Sequence, residues 1–306
     1  PRGSALLVGV GGSGKQSLTR LASYISGNMP FQITITKTYS ASNLFDDMKG
    51  LFRTAGVQGR PVTFIFTDAE VTDESFLEYI NNLLSTGEIP GMYPKDELEA
   101  IIGDMRAVAK KEAGKGFIDT ADNLYKLFVD RVRDRLHVCL CFSPIGEKFR
   151  NRARMFPGLF ACCSIDWFLP WPHDALAGVA EKFLGRFEID ADDRVKQEVV
   201  QHCAFVHQRV TLACVEYFEK YRRQVYVTPK SYLTFIEEYQ KLYKTKYSLY
   251  NELRSNLKVG LDKLLEAGED VAKMKEELKV KEKDLEEAQR VSKALLVEIQ
   301  ASTTKA

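Results

Sequence analysis

Apolar and polar positions along residues 1–169 fall into a repeated strand–helix rhythm. The run 5–10 is apolar and ends in glycines, which predicts a buried strand feeding a turn. Leu18, Leu21, Ala22 and Ile25 then recur at helical spacing and predict a helix facing the core through them. Residues 31–36 alternate as a strand. Leu44, Phe45, Met48, Leu51 and Phe52 mark a helix face, and 62–66 reads as another apolar strand. Phe76, Leu77, Ile80, Leu83 and Leu84 predict a helix capped by Thr72 or Asp73. Leu124, Leu127, Phe128 and Val132 predict a further helix, followed by strands at 138–142 and 161–165. Strands alternating with helices imply an α/β domain, a parallel sheet with helices on both faces.

From residue 170 the pattern becomes helical throughout. Val195, Val199, Cys203 and Val206 share one face, as do Tyr232, Phe235, Ile236, Tyr239 and Leu242. A small helical domain over 170–250 follows, joined through Pro170-Trp171-Pro172. Residues 251–306 hold no aromatic and no proline, and step by four and three through Leu257, Leu261, Leu264, Gly268, Val271, Met274, Leu278, Lys281, Leu285, Ala288, Ser292, Leu295, Ile299 and Ser302. That heptad predicts a long C-terminal coiled-coil helix, roughly 80 Å at 1.5 Å per residue. Its narrow apolar stripe needs a partner strand, expected downstream or in another molecule. The expected domains are thus 1–169, 170–250 and 251–306.

Composition narrows the function classes. Of 306 residues 45% are hydrophobic, enough for a real core, and length alone suggests about two domains. With 43 basic and 42 acidic side chains the net charge is +1, which argues against nucleic acid and anionic membrane as partners. No run approaches the ~18 apolar residues of a membrane span. The first residue is Pro1, so the chain is expected to be a piece of something longer, and missing targeting signals carry little weight. Six cysteines lie scattered, and the runs 138–142 and 160–163 read as buried strands carrying reduced core thiols. His202, Cys203 and His207 do not suggest a metal site, because a five-residue spacing does not stack two ligands on one helix face.

The chemistry concentrates after the first strand. Gly9-Val10-Gly11-Gly12-Ser13-Gly14-Lys15 follows an apolar strand and opens an amphipathic helix, the context that marks a phosphate loop. Glycines let successive amides turn inward, the helix N-terminus adds partial positive charge, and Lys15 reaches the β- and γ-phosphates. ATP or ADP is the expected ligand. One position departs from the pattern: Gln16 stands where a serine or threonine usually holds Mg²⁺, and Ser17 comes one residue late, about 100° around the helix. Gln16 could offer Mg²⁺ an amide oxygen or leave the place to water. Nucleotide binding should survive, while metal-assisted hydrolysis is in doubt.

The strand 62–67 ends in Asp68, the expected Mg²⁺ partner. Ala69 follows, so the candidate general base is Glu70, two residues on. Ser143 ends the next apolar strand and is placed to orient a water, though an amide is usual there. Arg150, Arg152 and Arg154 alternate before Phe156-Pro157, which suggests guanidinium groups projecting toward a neighbour's γ-phosphate, with a solvated basic turn as the plainer alternative. Lys230, after Thr228-Pro229, could reach back to the phosphates from a lid helix.

This order of phosphate loop, acidic strand, polar strand end, arginine run and helical lid resembles the AAA+ ATPases. The match is closer to the fourth AAA+ module of dynein heavy chains, on Gly-Val-Gly-Gly-Ser-Gly-Lys-Gln-Ser-Leu (9–18), Glu-Tyr-Ile-Asn-Asn-Leu-Leu-Ser-Thr-Gly-Glu-Ile-Pro (78–90), Phe-Pro-Gly-Leu (156–159), Ile-Asp-Trp-Phe (165–168) and Val-Thr-Pro-Lys-Ser-Tyr (227–232). Thr67-Asp68-Ala69-Glu70 looks more like axonemal dyneins than cytoplasmic ones. The resemblance implies one module of a six-module ring, with the principal hydrolysis site elsewhere. Lys15 and Asp68 would contact nucleotide, and Arg152 or Arg154 would face the preceding module. The heptad helix would pair with a returning stalk helix, with a microtubule-binding domain at the stalk tip, and adenine would draw on residues upstream of Pro1. The expected function is a regulatory nucleotide-binding module of a ciliary or flagellar motor that passes conformational change into the stalk. The alternatives are an active ATPase at this site, a coiled-coil scaffold holding a static nucleotide and, least favoured, a nucleic-acid-acting ATPase.

Overall fold

The computed structural model describes residues 3–112 and 117–303; of the heptad positions, the side chain of Ser302 lies outside what is described. Five strands, β1 (Ala5–Val8), β2 (Met29–Gln32), β3 (Val62–Thr67), β4 (Leu136–Phe142) and β5 (Ser164–Trp167), form one sheet of order β2-β3-β4-β1-β5 with every pairing parallel. The helices of the α/β part are α1 (Lys15–Ile25), α2 (Ala41–Phe52), α3 (Ser75–Thr86), α4 (Lys95–Glu112), α5 (Ala121–Arg135), α6 (Glu147–Met155) and the short α7 (Gly158–Ala161). Then come α8 (His173–Leu184), α9 (Asp193–Tyr221) and α10 (Pro229–Thr303). The chain divides into two compact units, Pro1–Glu237 and Glu238–Ala306. The first holds the sheet and the helical part together, so this division is coarser than the three domains expected from composition.

Strand side chains alternate between faces. Leu6, Val8, Phe64, Phe66, Val138, Leu140 and Phe142 point into the main core, where they meet apolar residues of α2, α3, α4 and α5. Leu7, Ile65, Cys139 and Cys141 point the other way into a smaller cluster. There α1 lies against the sheet, with Thr19 Oγ1 3.2 Å from Cys139 Sγ. All six residues of β3 are buried, as expected of a central parallel strand covered on both sides.

The inward face of α1 corrects the sequence expectation. Leu18, Leu21 and Ile25 are 52–75% exposed, whereas Lys15, Thr19 and Ser23 are buried. Lys15 must turn into the loop, and residues four and eight positions on share its face. Their hydroxyls are accommodated locally: Thr19 donates to the Lys15 carbonyl at 2.9 Å and Ser23 to the Thr19 carbonyl at 2.7 Å. Other differences are shifts of boundary. The second strand lies at 29–32 rather than 31–36. The run 160–163 ends α7 instead of forming a strand, which leaves Cys162 exposed. Helix α3 begins at Ser75, whose N–H donates to Asp73 Oδ1 at 2.9 Å.

The helical part closes on Tyr232. It is 1% exposed, its hydroxyl donates to the Leu176 carbonyl at 2.9 Å, and its ring meets His207 edge-on. On α9 the buried face is Val200, Cys203 and Ala204, with Val195 largely exposed, one residue round from the expected stripe. In the second unit the heptad leucines, Leu257 through Leu295, are more than half exposed.

Candidate functional site

Register brings the chemistry to one edge. Val8 pairs with Phe142 and with Trp167, and Thr67 with Cys141. Gly9, Asp68, Ser143 and Phe168 therefore leave the sheet side by side at its carboxyl end. The chain runs from β1 through α1 to β2, past β4 and β3, and from β4 through α6 and α7 to β5, past β1. Diverging connections of this kind open the crevice where ligands of open parallel sheets bind.

The loop backbone is held by the Gly9 N–H, which donates to the Phe142 carbonyl at 3.0 Å. A Cβ on Gly9 would lie 2.7 Å from Phe168 Cβ, and Gly12 and Gly14 sit at φ +82° and +95°, where side chains are disfavoured. Gly14 caps α1 with no side-chain bond, so the first-turn amides of Lys15, Gln16 and Ser17 are presented to an anion. Lys15 is buried. Its ammonium donates to the carbonyls of Gly9 at 2.6 Å and Val10 at 2.9 Å and to Ser13 Oγ at 3.3 Å. Burial lowers its pKa, against the opposing pull of Cys141 and Asp68. Lys230 touches the loop through its backbone: its N–H donates to the Gly12 carbonyl at 3.2 Å, while its side chain is exposed.

The acidic turn is differently arranged from the expectation. Asp68 Oδ2 accepts the Ser143 N–H at 2.5 Å, so Ser143 meets the site through its amide. Asp68 Oδ1 accepts Arg152 Nη1 at 2.6 Å. Arg152 also donates to Glu74 at 3.0 Å and lies over the Phe142 ring. The sequence reading offered Arg154 or, equally, Arg152 as the residue facing a neighbouring module, and it is the position of Arg152 that differs. Its side chain instead turns into its own module and is only 6% exposed, because α6 packs its i+5 position against the sheet end while Arg150 and Arg154 stay outside. Glu70, the candidate base, is buried in a short turn: Oε2 accepts the Thr67 N–H at 2.6 Å and Oε1 accepts Gln32 Nε2 at 2.5 Å. Burial raises its pKa, and these two bonds only partly offset that.

A cavity of about 350 Å³ opens beside the loop, lined by Val10, Ser13, Phe168, Pro170, Thr211, Val215, Phe218 and Val225 among others. Its walls are mostly apolar and it adjoins the phosphate loop, which suits a nucleobase. Sequence reasoning missed these residues and looked upstream of Pro1. The available signal was the apolar set Val215 and Phe218 on α9, off the helix's buried stripe. A larger cavity of about 500 Å³ against α1 includes neither Lys15, Asp68 nor Glu70 in its lining.

The donor set does not fit a resident Mg²⁺. Gln16 supplies a neutral amide on an exposed face, and each Asp68 oxygen already holds a proton donor, one of them a cation. Among the described residues no group of three or more His, Cys, Asp or Glu is arranged to hold a metal ion.

Residues 1–242 match the family model for the P-loop containing dynein motor region D4. Over 299 residues, 98% of the chain, the sequence is 51% identical to dynein axonemal heavy chain 5 of Mus musculus, of which that covers 6%. It is 49% identical to dynein axonemal heavy chain 8 of Homo sapiens over 98% of the chain and 7% of the relative. It is 52% identical to the dynein gamma chain, flagellar outer arm, of Chlamydomonas reinhardtii, again over 98% of the chain and 7% of the relative. The chain thus spans well under a tenth of the length of these relatives.

Proposed function

The chain belongs to the dynein heavy-chain family, in motor region D4, and on that premise we propose that it is a nucleotide-binding AAA+ module of a microtubule motor, regulatory rather than a site of rapid turnover. The ligand is ATP or ADP. Its phosphates meet the 9–17 loop and the Lys15 ammonium, and its base enters the apolar cavity beside Phe168 and Val215. The observation that carries the regulatory reading is Glu70. A hydrolytic base must reach the attacking water, and here Glu70 is 5% exposed with its carboxylate turned back onto Thr67 and Gln32.

The relatives are axonemal and flagellar by name, and the proposed setting is the cytoskeleton of a cilium or flagellum. The proposed partners are neighbouring modules of the same ring, approached by the exposed Arg154, and a returning stalk helix on the exposed heptad stripe of α10. Microtubules would be met through a tip domain. Coupling would use α10, whose second residue, Lys230, hydrogen-bonds Gly12 of the loop and which continues helically to Thr303.

The test uses the intact motor. Lys15→Ala is expected to lose bound nucleotide, and Glu70→Gln to leave both nucleotide content and turnover unchanged. ATP trapped by Glu70→Gln would instead assign hydrolysis to this site and refute the regulatory reading.

A further inference from the structure

We propose that this site holds its nucleotide in the free anionic form, without a tightly bound divalent metal, with the Arg152 guanidinium standing beside Asp68 where a metal's charge would otherwise fall. The inference rests on the nucleotide-binding reading above and specifies the ligand it takes.

Three features converge. Asp68, the carboxylate at the end of β3, is bonded on one oxygen by Arg152 and on the other by the Ser143 amide. A divalent ion bound to Oδ1 of that carboxylate would sit within about 5 Å of the guanidinium nitrogen, since a metal–oxygen bond of about 2.1 Å and an ion pair of 2.6 Å share that oxygen. Like charges so close in a partly desolvated place repel strongly. Second, the helix position that would offer a hydroxyl to the metal is Gln16, whose neutral amide brings no compensating charge. Third, the remaining carboxylates near the turn are engaged. Glu74 is paired with the same Arg152 at 3.0 Å, and Glu70 is tied to Thr67 and Gln32.

Arg152 is also poorly free to leave. Its side chain is 6% exposed, lies 5.5 Å from the centre of the Phe142 ring and joins two carboxylates. Withdrawing it would break both pairs and leave Asp68 and Glu74 without their cation. The positive charge for the phosphates then comes from groups already in place: the Lys15 ammonium and the α1 amides.

The test counts nucleotide and metal on the intact motor. Mn²⁺, visible by electron paramagnetic resonance, is the probe that replaces Mg²⁺, and released nucleotide is measured after desalting. Comparing wild type with Lys15→Ala, the expected difference is one nucleotide per motor and no Mn²⁺. A parallel difference of one Mn²⁺ would overturn the inference and leave nucleotide binding standing. No difference in nucleotide would refute the nucleotide-binding reading itself. Because a loop variant can misfold, a second measurement uses wild type alone. After EDTA and desalting, one nucleotide per motor is expected to stay bound and to crosslink, as its 8-azido analogue, to the segment 168–218. Loss of that label on chelation would overturn the inference.

Discussion

Deleting the Arg152 guanidinium probes the acidic network at its centre. Arg152→Met keeps much of the aliphatic volume and removes the cation. The side chain is 6% exposed and bonds Asp68 at 2.6 Å and Glu74 at 3.0 Å. Breaking a fully buried pair from one side costs about 3–5 kcal/mol. Here the stranded carboxylates are 37% and 48% exposed, so water recovers part of that loss, and about 2 kcal/mol remains. For a unit of this size each kcal/mol moves Tm by roughly 2–4 °C, which gives a fall of roughly 4–8 °C. Near-UV circular dichroism suits the assay, because both tryptophans, Trp167 and Trp171, lie in the Pro1–Glu237 unit. Arg150→Met and Arg154→Met, exposed on the same helix, are the controls, each expected to shift by about 1 °C or less. If Arg152→Met shifted no more than these, the buried triad with Asp68 and Glu74 would not exist and the metal argument built on it would fall with it.

Glu70 makes stability pH-dependent. Its carboxyl is held above the usual range by burial, so between about 4.3 and its folded pKa the native state binds more protons than the unfolded one. Its contribution is fully present below that window and is lost as pH rises through it; Glu70→Gln should flatten the pH profile of the guanidinium midpoint. Gly12→Ala forces a side chain to φ +82° with its Cβ 3.0 Å from Thr228 Oγ1, a penalty of about 1–2 kcal/mol, and should weaken nucleotide binding roughly tenfold by isothermal titration; an unchanged Kd would contradict the loop geometry. Val215→Asp puts a carboxylate into the wall of the 350 Å³ cavity and should reduce nucleotide affinity by at least about tenfold, with the thermal midpoint little moved because Val215 is 56% exposed. Gly158→Ala would place a Cβ 2.5 Å from Ser85 Oγ and 2.7 Å from Asn81 Oδ1, and a loss of about 1–3 kcal/mol should appear in urea unfolding.

Much of the fold was legible because strands buried on both faces announce themselves as continuous apolar runs. The runs at 62–66 and 138–142 lie within β3 and β4. The glycine-rich turn between strand and helix was equally plain. The face of α1 was not, because chemistry overrode periodicity: Lys15 has to enter the loop, and that one demand sets the rotation of the whole helix and turns Leu18 and Leu21 outward. Helix α4 escaped notice because only Met105 and Ala109 of its eighteen residues are buried, too few to make a stripe. Arg152, one of the two arginines offered to a neighbouring module, turns inward for a related reason. Alternating arginines read as solvent-facing in one dimension, whereas on α6 residues 150, 152 and 154 point in three directions, and the one facing inward meets two carboxylates drawn from far away in sequence. The apolar cavity beside the loop was invisible for want of any local motif, since its walls are assembled from the phosphate loop, the segment after β5, α9 and the approach to α10.

Gln32 closes the edge strand β2 with an amide addressed from both ends. Its oxygen accepts a hydrogen bond from Arg20 on α1, and its nitrogen donates one to Glu70 after β3. A carboxamide is therefore an adaptor of fixed polarity, joining a cation and an anion that belong to separate elements. Glutamate could greet the arginine but would confront Glu70 with a second negative charge, and lysine would do the reverse. Methionine would match the length and speak to neither. The orientation of the helix that bears the phosphate-binding amides is thereby linked to the orientation of the acidic turn through a single side chain that no other standard residue of that reach can replace.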